Sequence, residues 1–324
     1  MIKFKHWLGS TLAGLAAMAA LPAAFAQAYP SRPVHIVVPY APGGGADILA
    51  RAIGQKLSTI WGQAVIVENR AGAGSSIGTA YVAKMPADGY TLLMASPSHS
   101  INQTLYKNLT FDAIKDFAPI VLAASGPLVV VVNPANPAKS IADFIAQARA
   151  KPGAVSYASA GIGSSPHLAG ELFQMMAKVK MLHTPYKGTG PALTDVMGKQ
   201  ADSMFAPVPA IVELLKGGQL RALGVTSLQP FSALPKVPPI ANDLPGYEVL
   251  QWWGLAAPAG TPAAIITKVN ADVAAVLRSP DMRKAFDTMG ADPGGQPPAQ
   301  FAKLITDEVT KWAEVIKAAN VQPE

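Results

Sequence analysis

Short β-branched runs alternate along this chain with longer segments in which apolar side chains return every three or four positions, the pattern of parallel sheets covered by helices. Val34-His35-Ile36-Val37-Val38 predicts a buried strand, Pro39 to Gly45 a loop, Asp47 to Trp61 an amphipathic helix, and Ala64 to Glu68 the next strand. A helix follows from Ser76 to Lys84, then strands from Thr91 to Ala95 and from Pro127 to Val132, and a helix from Ile141 to Arg149 behind a Ser140 cap. The middle third predicts strands at Val155 to Ala158, Met181 to Tyr186, Ser203 to Ala206 and Ala222 to Thr226. Helices from Pro166 to Lys178, Pro191 to Gly198 and Val208 to Lys216 connect them.

A Pro-rich stretch from Leu234 to Pro245 precedes a return through Val249 to Ala257 and two helices that start near Pro262 and Pro298. Two terminal helices without new strands need an existing sheet to lie on. The chain is therefore expected to leave a first lobe near Ser125, build a second to about Pro245, and come back. That gives lobe one as 27–125 with 246–324, and lobe two as 126–245. The fold class is α/β, each lobe a mostly parallel sheet flanked by helices, with two crossings as a hinge and a ligand cleft between the lobes.

The first 26 residues change the picture of where the protein works. Lys3 and Lys5 precede an apolar run from Trp7 to Leu21, and Ala24-Phe25-Ala26 offers a small-x-small cleavage site, so 1–26 reads as a secretory signal peptide. No later stretch is apolar for the roughly 20 residues that a membrane helix needs. Cleavage removes two lysines and no acid, taking the net charge from +6 to +4. The remaining cations are scattered, which argues against nucleic acid as a partner and agrees with an anionic small ligand. With no cysteine, disulfides, thiolate metal sites and cysteine nucleophiles are excluded, so stability rests on burial.

Three glycine-rich strand-to-helix junctions carry the candidate chemistry. In Pro39-Tyr40-Ala41-Pro42-Gly43-Gly44-Gly45-Ala46-Asp47 the glycines admit close backbone approach, and the free N–H groups of a helix start favour an anion. Ile48 stands where a dinucleotide loop wants a third small residue, and a plain tight turn capped by Asp47 explains the same residues. Ala71-Gly72-Ala73-Gly74-Ser75-Ser76-Ile77-Gly78 contains Gly-x-Ser-x-Gly, but Asn69 to Gly74 separate Ser76 from its strand, and His167 or His183 would have to reach it. A glycine-rich helix start packed on the sheet is the favoured reading. Ser159-Ala160-Gly161-Ile162-Gly163-Ser164-Ser165-Pro166-His167 again sets hydroxyls and N–H groups at a helix N-terminus; His167 has no ligating partner at metal spacing and reads as a packed or capping side chain. Thr184-Pro185-Tyr186-Lys187-Gly188 ends a strand in the same lobe, and alternation allows at most one of Trp252 and Trp253 to face the cleft.

In this order the motifs resemble the Bug family, the periplasmic receptors of tripartite tricarboxylate transporters. The resemblance covers essentially the whole mature chain. It rests on Tyr29-Pro30-Ser31-Arg32-Pro33, Pro42 to Asp47, Glu68-Asn69-Arg70-Ala71-Gly72-Ala73-Gly74 and Asp88-Gly89-Tyr90-Thr91-Leu92-Leu93. Gly161 to Leu168, Pro185 to Gly188, Gly217-Gly218-Gln219-Leu220-Arg221-Ala222-Leu223 and Trp253 to Pro262 complete it. It implies a two-lobed periplasmic binding protein of the Venus flytrap type, a monomer without cofactor or catalysis. Such a protein captures a small carboxylate and delivers it to the membrane subunits of the transporter.

For the site, the resemblance implies that Tyr40, Pro42, Gly43, Gly44, Gly45 and Asp47 face Ser159, Ala160, Gly161, Gly163, Ser164, Ser165 and His167 across a ligand carboxylate. Candidates for the distal end are Ser96, His99 and Asn102 from lobe one, with Tyr186, Asp202, Ala206 and Pro207 from lobe two. Ser96-Pro97-Ser98-His99-Ser100 departs from the usual turn after the third strand, which leaves the identity of the acid open. Two alternatives to passive capture are an exported serine hydrolase using Ser76 and a ligand sensor for a membrane kinase.

Overall fold

The structure is a computed structural model that describes residues 29–318 and Val321; the signal peptide expected at 1–26 lies outside the described residues. The first half runs β1 (Val34–Val38), α1 (Gly45–Trp61), β2 (Val65–Asn69), α2 (Ser76–Ala83), β3 (Thr91–Ala95), α3 (Ser98–Leu105), β4 (Phe117–Val132) and α4 (Ile141–Ala150). The middle runs β5 (Ser156–Ser159), α5 (Ser165–Ala177), β6 (Leu182–Pro185), α6 (Thr189–Met197), β7 (Ser203–Pro207), α7 (Val212–Lys216) and β8 (Arg221–Val225). The chain closes with β9 (Leu250–Pro258), α8 (Ala263–Arg278), α9 (Pro280–Met289), β10 (Asp292–Pro293) and α10 (Pro298–Ala318).

The strand order is β2-β1-β3-β9-β4-β7-β5-β6, with β8 and β10 also paired to β4. Parallel pairing holds at the two flanks, β1 with β2 and β3, and β5 with β6 and β7. Every ladder made by β4 or β9 is antiparallel, so "mostly parallel" describes the flanks and not the centre. The centre differs because β4 and β9 cross between the lobes in opposite directions. β4 pairs with β9 from Phe117 to Pro127 and with β7 and β8 from Leu128 onward. Just before β9, the Val249 N–H still bonds to the Thr226 carbonyl of the second sheet. The fold is two-lobed α/β, as expected.

Three elements, α3, α9 and β10, escaped the sequence pattern, and a fourth, β4, was read too short. β4 begins ten residues before the expected Pro127, because Pro119 and Pro127 interrupt its reading and its register with β9 shifts twice. Helix α3 is polar in sequence yet lies inside, with Ser98, His99, Ser100 and Asn102 all buried. Its side chains bond to backbone rather than to solvent: His99 Nε2 to the Ala113 carbonyl, Ser100 Oγ to the Ile305 carbonyl, Asn102 Nδ2 to the Gly74 carbonyl. Between the two expected terminal helices stands α9, and after it β10 adds a short strand against Ala124 and Ser125.

Helices cover both faces of each sheet. Leu49, Ile53, Val269, Val273 and Phe286 pack on one face of the first sheet; Val82, Phe111, Trp252, Phe301 and Ile305 pack on the other. Phe144, Phe173 and Trp312 cover one face of the second sheet, and Leu193, Val196 and Ile211 its opposite face. Helix α10 thus carries Phe301 and Ile305 in one core and Trp312 and Ile316 in the other.

His99 reports on the first of these cores. Its ring stacks 6.1 Å from Phe111 and meets Phe117 edge-on at 4.7 Å, and burial pushes its pKa down from 6.5 to about 4. The neutral ring is the folded form, so between those two values the unfolded chain binds more protons and stability rises with pH. Denaturant unfolding is expected to give a stability that declines as pH falls from about 6.5 toward 4, with His99 contributing up to about 1.4 kcal/mol per pH unit. His99→Gln, which keeps a donor for the Ala113 carbonyl, should flatten that slope; an unchanged slope would remove His99 from this account.

Candidate functional site

Three helices begin at one cavity. The first turns of α1, α5 and α6 bring Gly44 to Asp47, Ser164 to Pro166, and Thr189 to a small space between the lobes. Tyr40, Ser96, Gln251 and Trp253 close it from the first sheet, Ala160 and Pro207 from the second. The opening N–H groups of a helix have no intrahelical acceptor, and the helix dipole makes that end partly positive; here Pro166 and Pro191 carry no N–H and the His167 N–H is taken by Ser164, so the donors are those of the remaining first-turn residues. Among the residues lining the cavity, Asp47 carries the one charged side chain.

That carboxylate is committed elsewhere. Asp47 Oδ1 accepts from Arg51 Nη2 at 2.8 Å and from Asn69 Nδ2 at 3.0 Å, while Oδ2 accepts the Gly43 N–H at 3.1 Å. Burial pushes the Asp47 carboxyl up, but the bonds from Arg51, Asn69 and Gly43 outweigh it and hold its pKa below the ordinary value. Asn69 also donates to the Tyr40 carbonyl at 3.0 Å, so the loop from Pro39 to Gly45 is braced at both ends. Asp47 orients this turn, as a capping residue four positions along can.

The polar wall opposite is built from hydroxyls. Tyr40 Oη donates to Ser98 Oγ at 2.6 Å and lies 3.0 Å from Ser96 Oγ; burial raises the Tyr40 pKa, so the phenol stays protonated. Ser165 Oγ donates to Gln251 Oε1, tying the start of α5 to the crossing strand β9. Ser164 Oγ caps α5 by accepting the His167 N–H at 3.4 Å. Trp253 supplies the flat apolar wall: a Cβ on Gly45 would stand 2.6 Å from its ring. Trp252 points the other way, onto Phe301, as strand alternation requires.

The lobes touch at backbone carbonyls. The Ala41 N–H donates to the Lys187 carbonyl at 2.9 Å, and Tyr106 Oη donates to the Ile162 carbonyl at 3.2 Å. A Cβ on Gly190 would come within 2.3 Å of the Pro42 carbonyl oxygen, and one on Gly74 within 1.7 Å of the Ile162 carbonyl oxygen.

Of the residues expected at the site, Tyr40, Gly44, Gly45, Asp47, Ser96, Ala160, Ser164, Ser165 and Pro207 line the cavity. The rest do not, for local reasons. Pro42 and Gly43 face Gly190 at the lobe contact. His99 is in the core described above, and Asn102 bonds to Gly74 and to the Ser75 and Ser76 hydroxyls, its carboxamide packed against Gly163. Ser159 bonds to His183, and His167 accepts the Gly163 N–H at 3.2 Å. Gly161 and Tyr186 line a separate recess at the cleft rim, where Tyr186 Oη donates to Asp195. Asp202 lies at the far end of β7 from Pro207 and accepts from Ser156 N and Oγ; Ala206 faces the opposite core. Ala46, Pro166, Thr189 and Gln251 were missed, and of the two tryptophans left open it is Trp253 that lines the cavity. Ala46 and Pro166 had a signal, one inside the glycine-rich loop and the other at the first helical turn.

Nor does Ser76 find a base. Its Oγ accepts from Asn102 Nδ2 at 3.1 Å, and both histidines proposed to reach it are engaged with the Ser159 to Gly163 loop. No group of three or more metal-ligating side chains occurs among the described residues, and no helix among them is long and apolar enough to cross a membrane.

Known proteins resemble this chain in sequence and in fold. Residues 49–321 match the model of the tripartite tricarboxylate transporter family receptor. Protein BugT of Bordetella pertussis is 37% identical over 295 residues, covering 90% of this chain and 90% of that protein. The solved structure of R. palustris Rpa4515 with adipate superposes with a TM-score of 0.89 at 37% identity, covering 91% of this chain and all (100%) of the other. MatC from Rhodopseudomonas palustris with bound malate gives 0.85 at 31% identity, covering 89% and 100%. The chain belongs to the tripartite tricarboxylate transporter receptor family, periplasmic solute-binding proteins rather than enzymes.

Proposed function

We propose that this receptor, exported by its signal peptide, closes its lobes over a dicarboxylic acid of the size of malate or adipate and presents it to the membrane subunits of a tripartite transporter. The observation that carries the reading is the convergence of three helix starts on one enclosed cavity whose single charged side chain is already neutralised. An anion fits such a place because unpaired N–H groups and hydroxyls solvate it in a low-dielectric site where each contact is stronger than in water. One carboxylate lies at the starts of α1 and α5, and the other among Tyr40, Ser96, Thr189 and Gln251. We place the lobes at 27–125 with 246–324 and at 126–245; the change of partner along β4 supports this division, while the end of α10, with Trp312 and Ile316, packs on the second sheet. Malate and adipate in two relatives support the ligand class.

A thermal-shift screen over organic acids tests it directly. A bound acid at a hundred times its dissociation constant should add about 2.7 kcal/mol of stability, and malate or adipate should move the melting point while their diesters do not. A shift with sugars and none with any acid would end the carboxylate reading.

Closure is tested away from the ligand wall. Gly190→Val places atoms against the Pro42 carbonyl and should weaken acid binding at least about tenfold, because the lobes must meet to complete the donor shell. Scattering should show the ligand-induced fall in radius of gyration in the parent and not in the variant. Equal contraction and equal affinity would remove the clamp.

Asp47→Ala should loosen the loop and weaken binding by about tenfold, roughly 1.4 kcal/mol, whereas Asp47→Asn, which keeps an acceptor, should lose less. Calorimetry that finds Asn as harmful as Ala, with the fold intact, would mean that the negative charge itself matters.

A further inference from the structure

Two histidines remain that the cavity does not use. His167, on the first turn of α5, and His183, on the edge strand β6, stack with ring centroids 4.1 Å apart and planes 19° from parallel. Tyr157 continues the stack on the other side of His183 at 4.9 Å, and these two residues are direct cross-strand neighbours in the β5–β6 ladder. The Tyr157 ring is itself fixed: Gly170 leaves room for it, since a Cβ there would stand 2.2 Å from the ring, and its hydroxyl donates to Glu171. The result is a three-ring slab between the second sheet and α5, buried at Tyr157 and His167 and half-buried at His183.

Each imidazole holds one end of the lobe-two loop. His183 Nε2 lies 2.7 Å from Ser159 Oγ, which also accepts the Gly161 N–H at 3.1 Å. His167 Nδ1 accepts the Gly163 N–H at 3.2 Å, which sets its proton on Nε2, 3.9 Å from Glu171 Oε1. Between these points the loop has little of its own to define it. Gly161 and Gly163 have φ of +121° and +79°, so the segment gains reach but loses the restraint a side chain would give. Burial, and for His167 the neighbouring His183, holds both imidazoles well below their ordinary value, at about 3 for His167 and about 4 for His183, so both are neutral and can serve as fixed hydrogen-bond partners at neutral pH.

We infer that His167 and His183 are paired positioning residues of the binding site: they touch no ligand but hold the Ser159 to Ser164 loop in the shape that presents Ala160, Ser164 and the start of α5 to the bound acid. This rests on the reading of the cavity as an acid site, but the pinning can be measured without a ligand.

The experiment compares ring-preserving with bond-preserving replacements. His167→Phe and His183→Phe keep a stacking ring and remove the polar atom; His167→Asn and His183→Gln keep a group near Nδ1 and Nε2, respectively. Amide hydrogen exchange on the ligand-free protein is expected to speed up at Gly161 and Gly163 by about fivefold or more in the Phe variants, the loss of one ordinary hydrogen bond, and to stay near the parent rate in the Asn and Gln variants. Affinity for malate and adipate should follow the same order. If a Phe variant does not fold, His167→Leu or His183→Leu, smaller and equally without a polar atom, should reproduce the faster exchange while leaving Ser159 in place to accept the Gly161 N–H. Unchanged exchange in the Phe or Leu variants, or equal damage in the Asn and Gln variants, would overturn the inference. Failure of the parent to bind either acid, with exchange behaving as stated, would instead count against the acid reading and leave the pinning established.

Discussion

Everything at this site depends on bringing two main chains together around a small enclosed volume. An N–H group has no length to spare: a donor on the backbone reaches a ligand only if nothing bulkier than hydrogen stands on the approaching α-carbons. The contact at Gly74 leaves no room for even a methyl group against the Ile162 carbonyl, and Gly190 repeats the constraint against Pro42. These positions lie outside the cavity, yet they decide whether its two halves can meet. The glycine-rich segment around Ser76, which in sequence mimics a nucleophile turn, is one half of that meeting surface.

The same constraint explains how charge is distributed. An unneutralised carboxylate beside a bound anion would repel it, and burying one without partners is costly. Asp47 is partnered by Arg51, Asn69 and the Gly43 amide, which would spare the proposed acid both penalties, and these bonds brace the turn before the helix start. In lobe two, where no carboxylate plays that part at the loop, the bracing falls to a serine and two neutral rings. Both lobes solve one problem, holding a glycine-rich turn still, with different side chains.

Much of the fold was legible because parallel α/β architecture writes itself in periodicity: β1, α1, β5, α5 and β7 all stand where apolar spacing put them, to within a few residues. The failures share a cause. Helix α3 is polar because its side chains bond to other segments' backbone, and periodicity measures only hydrophobic contact. Helix α9 is charged along its exposed side, with Met282 and Phe286 as its buried residues, too few to register. At the site, the helix starts were readable because glycine, serine and proline at a strand end have local meaning. Thr189 and Gln251 were not, since their roles come from the approach of distant segments. His99 and Asp202 failed for the complementary reason: closeness in sequence to a cavity residue says nothing about which side of a helix or which end of a strand a side chain occupies.

A cavity furnished with N–H groups and hydroxyls selects differently from one furnished with arginine or lysine. A cation attracts any anion over a long range, so its contribution does little to separate a carboxylate from a phosphate or sulfonate of equal charge. Backbone donors at a helix start and hydroxyls fixed by Tyr40 and Ser98 are directional, and each contributes only about 1 kcal/mol net when well aligned. Discrimination then depends on how many align at once, which rewards a ligand whose acceptor oxygens match the donors in plane and spacing. It also makes the rigidity of the supporting turns part of the specificity, because a donor that can swing serves any acid equally well.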